Sequence, residues 1–274
     1  MEIFCKELNK TFPTKQEMFT ALKGKKEELI GLKKSEIKTS EGINLSIKDN
    51  VASKGTTEVL KIGDKIKVAM NTTNYLDHDG DLIIDGAWNK SAQEQNGKTY
   101  HIINHDLKIG SIVAYPKNVS VSVERVDWSN LGKSYEGSTD VLVFESTLTE
   151  KTNNDAFLAY KDGEDVEHSI RLMYIKIDLA INSDDQEDKA EKALYDKYIA
   201  KVANKEVAEE RGYMWIVSEA KIYKEGSLVL FGANDATPPL KEMKPLKDTS
   251  KKNNEPPPAL EIDYVFLTQN IFKK

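Results

Sequence analysis

Cysteine is almost absent from this chain of 274 residues, which has only Cys5. A single cysteine cannot form a disulfide within the chain, and disulfides are rare in intracellular proteins. The N-terminal segment also lacks the signal-peptide pattern, in which basic residues precede a long apolar stretch and then small residues. We therefore expect an intracellular protein.

An excess of basic residues and long apolar runs are also missing. Lys and Arg number 39 against 45 for Asp and Glu, which gives a net charge of −6. A general nucleic-acid-binding protein would normally carry a basic face. No apolar run is long enough to cross a bilayer. We expect neither nucleic acid nor membrane as a partner, and the length is sufficient to bury a substantial core.

The N-terminal residues, 1–43, form a predicted helical extension. Thr14 is followed three residues later by Glu17, which is a capping-box pattern. Apolar residues then recur at broken helical spacing, and Gly24 interrupts the stripe. This pattern predicts one helix or two short ones, docked on the main body or on a partner.

Residues 44–240 read as one domain rich in strands. Short alternating or β-branched segments are separated by Gly- and Asp-containing turns, a pattern typical of a barrel or sandwich. The charged stretch 183–212 predicts one long amphipathic helix, or two, inserted between strands. The Lys-, Asn- and Pro-rich residues 241–274 predict a flexible polar tail. The predicted fold class is mainly β with flanking helices (α+β).

Histidine is scarce too, so the candidate bases for a nucleophilic serine are few. The four histidines are His78, His101, His105 and His168. His168 precedes Ser169 on a predicted strand, where neighbouring side chains point to opposite faces, so it cannot serve as the base for Ser169. His78 sits in a polar turn. His101 and His105 remain, and spacing alone favours partly buried histidines bonded to the backbone over a catalytic role.

The acidic segment "DHDGD", Asp77 to Asp81, resembles the start of a calcium-binding loop. It lacks a glutamate about twelve residues after the first ligand, and its glycine comes two positions early. A polar turn, in which Asp side chains accept bonds from nearby backbone N–H groups, is the favoured interpretation. No Cys–His spacing suits zinc. We predict no metal and no cofactor.

Four blocks in order carry a resemblance to a known family. They read "DHDGDLIIDGAW", "IINHDLKIG", "EHSIRLMYIKI" and "EGSLVLFGANDATP". They resemble the signature blocks of the prohead serine proteases of tailed bacteriophages, and the match covers roughly residues 57–240. The resemblance implies an assemblin-like β-barrel with flanking helices. It implies a serine endopeptidase that cuts the major capsid protein, the scaffold protein and itself inside the assembling procapsid in the host cytoplasm. The sequence leaves the oligomeric state open, a homo-oligomer included.

The resemblance assigns roles by position. His105 of "NHD" matches the base and Ser169 of "HSI" matches the nucleophile. Glu225 fits the acidic position, with Asp178 and Glu145 as alternatives. Many members have glycine two residues after the serine, where this chain has Arg171, so no oxyanion donor is assigned. The rival hypotheses are a non-catalytic capsid-assembly or scaffold protein with the same fold, and an unrelated barrel that binds a cation through "DHDGD".

Overall fold

Residues 2–40, 59–164 and 166–230 are described by a computed structural model. These residues form a mixed α/β protein with more strand than helix, as the sequence predicts at this coarse level. Their sheets are open, and none of them closes into a barrel. The predicted tail, 241–274, lies outside the described residues. Within those residues, no helix combines the length and apolar character needed to cross a bilayer.

The N-terminal part is a small hairpin followed by two helices. Strands β1 (Ile3–Cys5) and β2 (Lys10–Phe12) pair antiparallel. Helix α1 (Lys15–Gly24) and helix α2 (Lys26–Ser35) follow, and the chain then enters the short strand β3 (Lys38–Thr39).

The start of α1 confirms the predicted cap. The Glu17 amide donates to Thr14 Oγ1 at 3.2 Å, which satisfies one of the unpaired N–H groups of the first turn. The helix ends at Gly24, as expected for a residue with low helix propensity.

Twelve further elements follow in chain order: β4 (Lys65–Thr72), β5 (Asp81–Ile83), α3 (Asn89–Gln95), β6 (Tyr100–Ile103), β7 (Ile112–Ala114), β8 (Val119–Asp127), β9 (Ser138–Thr147), α4 (Asn154–Asp162), β10 (Glu167–Ile181), α5 (Lys189–Ile199), α6 (Lys205–Arg211) and β11 (Tyr213–Val229). The main sheet has the order β3-β10-β11-β6-β7, and β5 also pairs with β11. A second sheet has the order β4-β9-β8.

Strand β11 is the central strand of the main sheet. It pairs antiparallel with β10 over almost its full length and parallel with β6 at its C-terminal end. Because of these two pairings, residues from three distant parts of the sequence meet at one end of β11.

The segment 183–212 forms two helices, α5 and α6, so of the two predicted alternatives the pair of helices is present and the single long helix is not. The break has a packing reason. Between the helices, the Asn204 side chain accepts from the Leu76 amide at 2.9 Å and donates to the Leu76 carbonyl at 2.8 Å. The Ala203 amide donates to the Asn74 carbonyl. These bonds turn the chain towards the loop after β4, and a continuous helix could not make them.

One hydrophobic cluster joins the N-terminal helices to both larger sheets. Phe19 of α1 and Leu29 of α2 belong to the same cluster as Phe144 of β9 and Trp215 of β11. The helices therefore pack on the sheets through apolar side chains, which is the dominant stabilising term for such elements.

Candidate active site

Ser169 is near the start of β10, and its side chain points away from that of His168. The Ser169 hydroxyl lies 2.9 Å from His105 Nε2, whereas His168 Nε2 contacts the hydroxyl of Tyr160. The alternation of side chains along a strand produces this separation, as the sequence predicts. Ser169 is only 1% exposed.

His105 lies two residues after the end of β6 and has an unusual backbone. Asn104 and His105 have φ angles of 52° and 55°, in the left-handed region. Asparagine tolerates this region, but histidine adopts it at a cost and needs surrounding contacts to hold it there. Two contacts do so: the His105 amide donates to Ser227 Oγ at 2.9 Å, and Arg171 Nη2 donates to the His105 carbonyl at 2.9 Å.

Glu225 completes the arrangement from β11. Its carboxylate is fully buried, and Oε1 lies 2.8 Å from His105 Nδ1. A carboxylate at Nδ1 favours the tautomer with the proton on that nitrogen, which leaves Nε2 free to accept the Ser169 proton. The three side chains therefore form a continuous serine–histidine–carboxylate chain.

The alternative acids lie elsewhere. Asp178 pairs with Lys26 at 2.5 Å, and Glu145 pairs with Lys65 at 2.6 Å. Of the three carboxylates named from the sequence, the structure brings Glu225 to His105.

Two residues that the sequence interpretation did not assign support this chain. Arg171 Nε lies 3.1 Å from Glu225 Oε1, and Ser227 Oγ donates to Glu225 Oε2 at 2.8 Å. Both stand two positions from a residue already assigned, Arg171 from Ser169 and Ser227 from Glu225. The two-residue period of a strand was the signal available for finding them. The Arg171 side chain thus extends to the buried acid and the histidine carbonyl.

The remaining histidines belong to a different, buried network. His101 Nδ1 lies 3.0 Å from Ser146 Oγ, and the Tyr160 hydroxyl contacts both His101 and His168. Burial lowers the pKa of His168 to about 4, and burial and the neighbouring His168 lower the pKa of His101 well below its usual value. Both rings are therefore neutral at physiological pH, and His101 has a structural role.

The "DHDGD" segment forms the predicted polar turn. The Asp81 amide donates to Asp77 Oδ1 at 2.7 Å. Asp81 is buried, with Lys33 and Lys38 at 2.5 and 2.7 Å and the Tyr174 hydroxyl at 2.9 Å. The Asp81 carboxylate is thus already paired with two lysine ammonium groups. Across the described residues, no group of three or more His, Cys, Asp or Glu side chains is placed to hold a metal ion.

A separate open cavity of about 800 Å³ lies beyond the C-terminal end of β9, and its lining includes Tyr115, Leu148 and Lys151. It contains none of the serine–histidine–carboxylate residues. Hydrogen-bond geometry rather than cavity size therefore locates the candidate active site.

Comparison of the chain with models of known protein families, with curated proteins and with solved structures finds no match.

Proposed function

We propose that this protein is a serine endopeptidase of the phage prohead type. The observation that carries the proposal is the alignment of Ser169, His105 and Glu225, in which Ser169 Oγ lies 2.9 Å from His105 Nε2 and His105 Nδ1 lies 2.8 Å from Glu225 Oε1. A serine hydroxyl is a poor nucleophile until a base within hydrogen-bond reach accepts its proton. Here the base is in reach and is itself oriented by a buried acid.

The chemistry follows from the roles of these side chains. His105 Nε2 accepts the Ser169 proton as the hydroxyl oxygen attacks a peptide carbonyl. The resulting tetrahedral intermediate collapses to an acyl-enzyme when His105 returns the proton to the leaving amine. Water then attacks the ester by the same route. Glu225 stabilises the imidazolium that forms in each half-reaction.

The family type rests on the four ordered sequence blocks. Three of the residues that these blocks assign by position, His105, Ser169 and Glu225, are the three that meet in space. On this proposal the domain is related to the assemblins. Its substrates are the major capsid protein, the scaffold protein and the chain itself, and its place of action is the assembling procapsid in the host cytoplasm.

The proposal is tested by active-site labelling with diisopropyl fluorophosphate, followed by intact-mass spectrometry over one day. The protein should gain one phosphoryl group, and the Ser169→Ala variant should gain none. Ser146→Ala is the matched control, because Ser146 is also a buried serine bonded to a histidine but has no acid behind it. It should be labelled as the parent is.

The same spectra report any trimming of the chain. Mass loss in the parent and in Ser146→Ala but not in Ser169→Ala would establish peptide cleavage through Ser169. Equal labelling of Ser169→Ala and the parent would show that another residue reacts, and the assignment would be wrong.

A further inference from the structure

The edge of β10 beside the nucleophile is already occupied by the chain itself. Strand β3 pairs antiparallel with β10, with Thr39 opposite Arg171 and Lys38 opposite Leu172. The pairing extends to the next residue, because the Ser40 amide donates to the Ile170 carbonyl at 2.8 Å. Residues 38–40, here called the blocking segment, therefore run as an added strand past Ser169.

The blocking segment engages the hydroxyl of Ser169 directly. Ser169 Oγ donates to the Ser40 carbonyl at 2.8 Å, and the Ser40 hydroxyl lies 3.4 Å from the same oxygen. A serine hydroxyl has one hydrogen. When that hydrogen is donated to Ser40, it is not donated to His105 Nε2, and the base cannot accept it.

The segment also engages the backbone donor next to the nucleophile. The Ile170 amide donates to Ser40 Oγ at 2.9 Å. Backbone N–H groups beside a nucleophile are the donors that stabilise the oxyanion of an acyl-transfer intermediate. With Ser40 in place this N–H group is already paired, and without Ser40 it faces the space beside Ser169.

The orientation of the Ser40 carbonyl is that of a block and not of a substrate. Attack requires the carbonyl carbon to face the nucleophile and the carbonyl oxygen to face the N–H donors. Here the oxygen itself accepts from Ser169. Ser40 is 8% exposed and Ser169 is 1% exposed, so a second peptide cannot reach the hydroxyl while the segment stays.

Lys38 anchors the segment. Its ammonium lies 2.7 Å from the buried Asp81 carboxylate, 3.6 Å from Asp79 and over the ring of Tyr174. Burial opposes the charged form of Lys38, but Asp81 and Asp79 outweigh it and raise the lysine pKa above its usual value. The anchor therefore stays charged across the neutral range.

We propose that Lys38–Ser40 is an intramolecular block that occupies the binding place of an extended polypeptide substrate. The proposal rests on the proposed serine endopeptidase function. When the segment leaves, the edge of β10 at Ile170–Leu172 pairs with a substrate strand, Ser169 donates to His105, and the Ile170 amide becomes available to an oxyanion. Main-chain pairing of this kind recognises peptides by adding a strand to a sheet edge.

Two variants release the block in different ways. Ser40→Pro removes the backbone N–H that donates to the Ile170 carbonyl. It also removes the hydroxyl that accepts from the Ile170 amide. Lys38→Ala removes the anchor and leaves Asp81 paired with Lys33 and Tyr174. Thr39→Ala is the matched control, because the Thr39 side chain is exposed and its loss leaves the contacts of Lys38 and Ser40 in place. Each protein is first checked for folding by circular dichroism and thermal unfolding.

The measurement is the rate constant for labelling by diisopropyl fluorophosphate, followed by intact mass. Ser40→Pro and Lys38→Ala should each be labelled at least tenfold faster than the parent, and Thr39→Ala at the parent's rate. If Ser40→Pro does not fold, Lys38→Ala decides the question. Equal, measurable labelling rates in the parent and in the folded release variants would overturn the proposed block. The proposed serine endopeptidase function would be unaffected.

Two further outcomes also count against the block. A parent chain that trims itself between Ser40 and Glu41 would show that the segment is a substrate. If none of the folded proteins is labelled, the serine endopeptidase proposal fails and the block fails with it. Failure of the function thus gives no labelling in any protein, whereas failure of the block alone gives equal labelling rates in the parent and the release variants.

Discussion

Arg171 and His105 Nδ1 meet the same oxygen of Glu225, with Arg171 Nε at 3.1 Å and Nδ1 at 2.8 Å. The same guanidinium donates to the His105 carbonyl. One side chain therefore compensates the buried acid and holds the backbone of the base. Burying a carboxylate is costly unless it is paired and hydrogen-bonded, and this contact supplies part of that pairing.

Replacing Arg171 should lower the labelling rate at Ser169 without unfolding the protein. Loss of a hydrogen bond to a charged group costs about 1.5–3 kcal/mol, which corresponds to roughly a 10- to 100-fold slower reaction for Arg171→Met. Arg171→Lys should be intermediate, since lysine keeps the charge but cannot bridge both partners.

Recovery by lysine separates a positioning role from a merely structural one. Arg171→Lys should recover part of the labelling rate that Arg171→Met loses, although both proteins unfold at the parent's temperature. A folded Arg171→Met protein that is labelled at the parent's rate would contradict a positioning role.

Glu225→Gln should be the most damaging isosteric change at the site. The amide has no charge to stabilise the imidazolium, and its NH₂ group favours the wrong tautomer of His105. The comparable change in a well-studied triad slows catalysis by about 10⁴. We expect a loss of roughly 10³- to 10⁴-fold in the labelling rate.

Glu219→Gln is the control for this experiment, because Glu219 is a carboxylate on the same strand that pairs with Lys90 and Lys176. It should be labelled at the parent's rate. If Glu225→Gln reacted within threefold of the parent, Glu225 would not be the acid of the triad.

Gly226 stands between the acid and Ser227, and space is the reason for glycine there. A Cβ atom at this position would lie 2.8 Å from the Phe144 ring and 2.9 Å from Met70 Sδ. Overpacking of this kind typically costs 1–3 kcal/mol. Gly226→Ala should lower the free energy of unfolding by about that amount, measured by urea denaturation, and should slow labelling because β11 must shift.

Gly31→Ala in α2 is the opposite case, since an added Cβ there meets nothing within 4 Å. Alanine favours a helix interior by up to about 1 kcal/mol over glycine, so this variant should be slightly more stable. Equal effects of the two substitutions would show that Gly226 is not confined by its neighbours.

The buried histidines should make the protein less stable in acid. His168 has its pKa lowered to about 4 in the folded chain, against an ordinary value of 6.5. Between these two values the unfolded chain binds more protons than the folded chain, so stability falls as the pH drops through this window. This titration of His168 lowers the free energy of unfolding by about 3 kcal/mol at pH 4, and the loss disappears above about pH 7.

His168→Gln tests the assignment, because glutamine can bond the Tyr160 hydroxyl but does not titrate. The slope of the unfolding free energy against pH between 4.5 and 6 should decrease by about 1 kcal/mol per pH unit, since the folded and unfolded chains differ by a little less than one proton in this range. A slope equal to that of the parent would place the titration in other groups.

Local chemistry made several features predictable from the sequence. The cap at Thr14, the polar turn at Asp81 and the opposite faces of His168 and Ser169 all depend on residues within four positions of one another. Triad geometry is not local, and the sequence reached Glu225 through a family resemblance and chain order.

The features that the sequence did not predict depend on long-range packing. The bonds of Asn204 to Leu76, which lie between α5 and α6 and decide for two helices over one, join positions 128 residues apart. The pairing of Ser40 with Ile170 joins positions 130 apart through a two-residue strand. No period in the sequence indicates so short a strand, because two residues are too few to show alternation.

The central position of β11 in the main sheet has a consequence during protein synthesis. A ribosome that has completed the chain through β10 has made Ser169 and His105. Glu225, Ser227 and the strand that aligns β6 with β10 do not yet exist. The His105 backbone then has no Ser227 to hold it, and the imidazole has no acid partner. On the proposed function, an incomplete chain therefore cannot cleave other chains that are being translated from the same mRNA. Protease activity arises only when β11 has left the ribosome and inserted between β10 and β6.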